Sequence, residues 1–163
     1  MRVLFTAIRA LIYGAGFVVA WGYVGLWAQR FDAGLGGPMP GWVRPIGIVL
    51  MVLGGLGAIA CVATFVVRGA GTPAPFDPPR RFVAVGPYRY VRNPMYIAGF
   101  LVMIGFALLQ RSPAILIVAA AMLGSAHLFV RWYEEPTLER SFGEDYRAYC
   151  RAVHRWVPQF PPS

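Results

Sequence analysis

Charge is scarce in this chain: 13% of its 163 residues are charged, while 58% are hydrophobic. With a mean hydropathy of +0.56, the composition lies outside the range of soluble domains and points to an integral membrane protein. Lysine is missing altogether. All fifteen basic residues are therefore arginine, and with seven acids they leave a net charge of +8.

Cysteine and histidine are almost as rare. Cys61 lies in an apolar run and Cys150 in the polar tail, which gives no basis for a disulfide framework or a metal site. His127 falls near the end of an apolar segment with no second ligand in sight, so it reads as a hydrogen-bonded interhelical residue rather than a metal ligand. His154 reads as solvent-facing.

Long apolar runs dominate instead. Ala10–Ala28, Pro45–Val67, Pro94–Leu109 and Ser112–Val130 are each about long enough to cross a hydrocarbon core of ~30 Å. The expected fold is all-α, with about four transmembrane helices, a cytoplasmic loop and a C-terminal amphipathic helix. The first run has the basic flank of a signal peptide, but its length, aromatics and lack of a convincing cleavage site predict a retained membrane helix. Only "QRSP" separates the last two runs, which predicts a tight helical hairpin.

The arginines set the orientation. Twelve of them fall on the side shared by the N-terminus, the loop from Arg68 to Asn93 and the tail; Arg30, Arg44 and Arg111 fall on the other. The positive-inside rule places the loop and both termini in the cytoplasm, as expected in a bacterial inner membrane. Topology and anionic headgroups thus account for the charge, and no nucleic-acid partner is implied.

The loop "RGAGTPAPFDPPRR" is too rich in proline and glycine for a helix. In the tail, Leu138, Phe142, Tyr146, Cys150 and Val153 recur at spacings of three and four, an amphipathic pattern. "SFGE" at Ser141–Glu144 fits a capping box, predicting a break at Phe142–Gly143. "GLGAIA" at Gly55–Ala60 satisfies a dinucleotide-binding pattern but lacks the preceding strand. With Gly47, Gly54 and Ala58 it reads as a small-residue surface for close helix packing.

Two polar clusters remain. Arg131, Glu134, Glu135 and Glu139 follow the fourth run, where Glu134 points about 100° away from Glu135, so the two carboxylates face different surroundings. They form either a salt-bridged surface or a pocket in which one carboxylate binds a cation. In "RRFVAVGPYRYVRNPMYIAGF", Pro94 suits the first position of a helix whose terminal N–H groups are free for an anion. Those tyrosines and arginines fit an interfacial belt or a binding site equally well. The hairpin brings Tyr96 and Glu134 together, and a pocket of this make-up suits a ligand carrying a carboxylate, an ammonium, an aromatic ring and a positive centre.

The ordered pair "GPYRYVRNPMY" and "RWYEEPTLERSFGEDYRAYCRAVHRWVP" resembles the isoprenylcysteine carboxyl methyltransferase and phospholipid methyltransferase superfamily over about half the chain. The family signatures are similar to G-x-Y-x-x-x-R-H-P-x-Y, a Glu-rich segment and F-G-x-x-Y-x-x-Y. The resemblance implies a single domain, 1–163, with an N-terminal helical pair, 1–68, and a catalytic core, 80–158, whose C-terminal helix covers the cofactor site.

It also implies S-adenosylmethionine as cofactor, released as S-adenosylhomocysteine. The cofactor contacts carried over are Arg80, Arg81, Phe82, Val83, Tyr88, Arg92, Asn93, Pro94, Met95, Tyr96 and Glu134; Glu134 and Arg131 are the catalytic candidates, with Arg131 toward the acceptor. The acceptor is expected to be a membrane lipid, a lipophilic small molecule or a lipidated molecule, methylated at carboxylate, amine or thiol. Asn93 departs from the family's usual His: it still donates and accepts hydrogen bonds but cannot titrate. Two other readings stay open, a sterol-reductase-type membrane reductase using NADPH and a non-catalytic membrane scaffold.

Overall fold

The computed structural model describes residues 2–69 and 82–159. Among these, the regular elements are all helical: α1 (Arg2–Ala28), α2 (Val43–Thr64), α3 (Pro94–Gln110), α4 (Pro113–Phe129) and α5 (Glu135–Ala152). Most of the proline-rich loop, with Arg80 and Arg81, lies outside the described residues.

Three helical runs are long and apolar enough to cross a membrane: Ala7–Leu35, Val43–Arg68 and the continuous run Pro113–Ala152. The fourth apolar helix, α3, has 17 residues and rises about 25 Å, just short of a ~30 Å core. Conversely, the 40 residues of Pro113–Ala152 would measure about 60 Å if straight, twice that core, so the charged second half lies beyond it. Large apolar side chains point outward along these helices, among them Val19, Ile59 and Ile117. In water such a surface would aggregate; in a bilayer it meets lipid.

The closest helix pair is α2 with α3, and small residues make it possible. A Cβ placed on Gly47 would lie 2.6 Å from the Gly105 carbonyl oxygen, and one on Gly54 would lie 2.6 Å from that of Ala98. Seven residues separate the members of each set, the repeat expected along one helix seam. Gly57 also faces Ala98, whereas Gly55 meets nothing within 4 Å, so only part of "GLGAIA" belongs to the packing surface.

The hairpin turns within two residues. Arg111 adopts a left-handed conformation, φ 60°, to close α3, and Ser112 caps α4 by accepting from the Ile115 N–H at 3.2 Å. Asp32, in the 3-10 turn after α1, reinforces that start: one carboxylate oxygen accepts from the Ser112 hydroxyl at 2.8 Å and from the Ala114 N–H at 2.9 Å. A carboxylate suits a helix N-terminus, and here it also fastens α1 to the hairpin.

At the opposite end of the bundle the helical hydrogen bonding loosens. Phe65–Gly69 after α2 and Val130–Glu134 between α4 and α5 are both π-helical turns. Such turns insert a residue and rotate the side chains that follow. Farther on, α5 kinks at Gly143, φ 55° and ψ −126°, a backbone state that favours glycine. The break falls where the sequence places it, but Ser141 is no cap: its hydroxyl donates back to the Thr137 carbonyl at 2.8 Å.

Candidate functional site

Pro94 opens α3, and the preceding Asn93 does not cap the helix with its side chain. The first-turn N–H groups of Met95 and Tyr96 have no carbonyl four residues back within the helix. Tyr96 points across the hairpin and donates its hydroxyl to Glu134 Oε2 at 2.7 Å. Glu134 ends the π-helical turn, beyond the apolar part of α4. Burial pushes its carboxyl pKa above the ordinary value, the Tyr96 hydrogen bond pulls it down, and the neighbouring Glu135 charge raises it. Among the described residues no cation pairs with Glu134.

Glu135 has the opposite surroundings. Arg155 grips it with two hydrogen bonds at 2.8 and 2.7 Å, and Arg92 approaches at 3.1 Å. The forked Arg155 contact is the strong geometry for a carboxylate. Adjacent in sequence, the two glutamates therefore divide: among the described residues Glu135 has two arginine partners and Glu134 has none.

The chain beyond α5 crosses the segment 90–93, just before α3, as a strap. The Arg92 N–H donates to the His154 carbonyl at 2.9 Å, and the Gln159 N–H to that of Tyr90 at 2.9 Å. Between them, buried Asn93 donates its side-chain amide to the Arg155 carbonyl at 3.1 Å. Trp156 lays its ring edge-on to Tyr96, centroids 6.3 Å apart, and donates its indole N–H to His127 Nδ1 at 3.0 Å. His127 thus has a partner that no local spacing reveals. The signal available was compositional: a lone Trp and an Arg placed after an amphipathic pattern has ended.

The other sequence candidates support this arrangement from behind. Tyr88 is buried with Cys61, Phe65, Val83 and Met95, its ring edge-on to Phe65 at 5.0 Å. Its carbonyl accepts from the Tyr149 hydroxyl at 2.5 Å. Phe82 packs among Phe142, Tyr146 and Tyr149, with centroids 5.5, 6.0 and 5.2 Å away. Phe82, Val83, Tyr88, Arg92, Asn93, Pro94, Met95, Tyr96 and Glu134 consequently gather at one end of the bundle. Arg131 is exposed on the adjoining surface, without an ion-pair partner among the described residues.

Comparison with known proteins reaches the same region. A family model described as phospholipid methyltransferase matches residues 42–145, from the start of α2 past the α5 kink, including Tyr96 and Glu134. A 78-residue stretch is 33% identical to a phosphatidylethanolamine N-methyltransferase of Malassezia globosa. That match covers 48% of this chain and 8% of the relative, so the chain spans a small part of that protein's length. Apolar helices, two ordered motifs brought together at one end of a bundle, and a family match over well over half of the sequence lead to one conclusion: this integral membrane protein belongs to the phospholipid methyltransferase family.

Proposed function

We propose that the chain transfers a methyl group from S-adenosylmethionine to a membrane lipid, at the site formed by the α3 start, the turn after α4 and the strap. The observation that carries this reading is the Glu134 carboxylate, half-buried against Tyr96 with no counter-charge among the described residues. Leaving an ionised carboxylate so placed is costly unless a cation completes it. An amino-acid ammonium is such a cation, and the N–H groups of Met95 and Tyr96 suit the carboxylate that accompanies it.

The residues present fit the cofactor's polar ends, and when bound it supplies an electrophilic methyl group on a sulfonium. Glu134 holds the ammonium, and Tyr96 orients Glu134. Asn93 acts by fixing the strap through Arg155, which keeps Trp156 over Tyr96 and limits water. Tyr88, Phe82 and Val83 stiffen the floor; Arg92 braces Glu135; Arg80 and Arg81 are further contacts in this reading. Arg131 lies on the acceptor side. In-line positioning and exclusion of water are the main requirements of such a displacement, so Asn93 in place of a titratable histidine is compatible with it.

In this reading four helices span the membrane, α3 among them with 17 residues, and the site faces the cytoplasm. The family makes a phospholipid amine the favoured acceptor. Calorimetry of the purified protein tests the cofactor: S-adenosylhomocysteine should bind and reduced dinucleotide should not. Labelled methyl transfer into a total lipid extract then identifies the acceptor. Binding of the dinucleotide alone, or of neither ligand to folded protein, overturns the reading.

A further inference from the structure

The kink at Gly143 has a second result. Arg147 reaches Glu139 at 3.4 Å although eight residues separate them, a spacing of about 12 Å along a straight helix. The kinked α5, the π-helical turn, the start of the strap and Arg92 line a groove of about 470 Å³. Its lining holds five arginines, Arg92, Arg131, Arg147, Arg151 and Arg155, against two carboxylates, Glu135 and Glu139.

Those arginines are short of anions. Glu135 is divided between Arg92 and Arg155, and Glu144 between Arg147 and Arg151. Among the described residues, Arg131 has no ion-pair partner and the buried Nε of Arg92 has no acceptor. Arg147 and Arg151 are 53% and 66% exposed, and ion pairs so exposed contribute little, so both can exchange partners at small cost. Guanidinium groups converging on one cleft match a phosphate, which offers several oxygens to forked donors.

The position of the groove indicates where the phosphate comes from. Arg131 lines it from the π-helical turn, and Trp132 and Tyr133, 70% and 52% exposed, follow in that same turn, just where the long helical run leaves its apolar part. Exposed aromatic rings at that point mark headgroup depth. We propose that this groove binds the phosphate of an anionic membrane phospholipid, with Arg131 as its first contact and Arg147 and Arg151 turning from Glu144 to complete it. Neither Tyr96 nor Glu134 is part of the lining, so the phosphate site is separate from the Glu134 pocket, while Arg131 stands between it and the acceptor side.

Cys150 lines the groove and is partly exposed, while Cys61 is buried, which gives a labelling readout. Full-length protein in detergent is treated with a maleimide in the presence of dihexanoyl phosphatidylglycerol, dihexanoylglycerol or inorganic phosphate, and lipid retention is read separately by native mass spectrometry. Phosphatidylglycerol should protect Cys150 and stay bound. Dihexanoylglycerol should do neither, and inorganic phosphate should protect only at far higher concentration. The double variant R131Q/R151Q should raise the half-protecting concentration about tenfold or more, as loss of charged hydrogen bonds implies. R140Q, on the same helix outside the groove, should leave it unchanged; R131Q alone carries the test if the double variant does not fold. Equal effects of dihexanoylglycerol, equal protection by matched inorganic phosphate, or unchanged lipid retention in the variants overturns the proposal.

Discussion

Tyr96 and Glu134, 38 residues apart, are joined by a 2.7 Å hydrogen bond across the α3–α4 hairpin. The bond holds a carboxylate with no ion-pair partner among the described residues beside the first turn of α3.

Glu134→Gln keeps the shape and removes the charge. Affinity for S-adenosylhomocysteine should fall about tenfold to a hundredfold, the effect of losing a charge-assisted hydrogen bond. Glu139→Gln, at a side chain 49% exposed, should change it less than about threefold. Calorimetry on both variants makes the comparison, and equal small losses would show that Glu134 belongs to an ordinary charged surface.

The same substitution should raise the thermal midpoint of the ligand-free protein at neutral pH. Burial lifts the Glu134 pKa, so the native state holds this proton more tightly than the unfolded chain does. Its contribution to stability is therefore present below the unfolded carboxylate pKa and lost as pH rises through the raised native value. The advantage of Gln over Glu should shrink on acidification below that window, measured as the difference between the two midpoints across a pH series. Cofactor affinity of the unaltered protein should fall over the same acid window, since the proton competes with the ammonium.

Glu135→Gln removes the shared partner of Arg92 and Arg155. Breaking a largely buried pair and stranding its cations costs about 3–5 kcal/mol. The strap should loosen with it, so limited proteolysis should cut after Ala152 sooner than in Glu139→Gln. An unchanged cleavage rate would separate the ion pairs from strap closure.

Packing between α2 and α3 gives an internal control within one dipeptide. Gly54→Ala forces a Cβ to 2.6 Å from the Ala98 carbonyl oxygen and should cost about 1–3 kcal/mol by overpacking. Gly55→Ala enters open space and should stay within about 0.5 kcal/mol. Thermal unfolding in one detergent compares them.

Local sequence rules carried much of this architecture. Pro94 opens a helix, glycines form a packing seam, α5 breaks at Gly143, and successive helical turns separate Glu134 from Glu135. What remained hidden lies beyond local spacing. Asp32 reaches a helix start 80 residues later, His127 finds its indole partner 29 residues on, and a π-helical turn shifts a helical register without any special residue. Asn93 is instructive: its type announces hydrogen bonding, but only the folded chain assigns its amide to the Arg155 carbonyl.

The strap also orders events during synthesis. Residues 153–159 leave the ribosome after the five described helices, yet they supply the Trp156 ring edge-on to Tyr96 and the carbonyls that engage Arg92 and Asn93. A nascent chain can insert the described apolar helices before this enclosure exists. A partly made copy carrying only those helices therefore lacks the cover that the strap places against Tyr96.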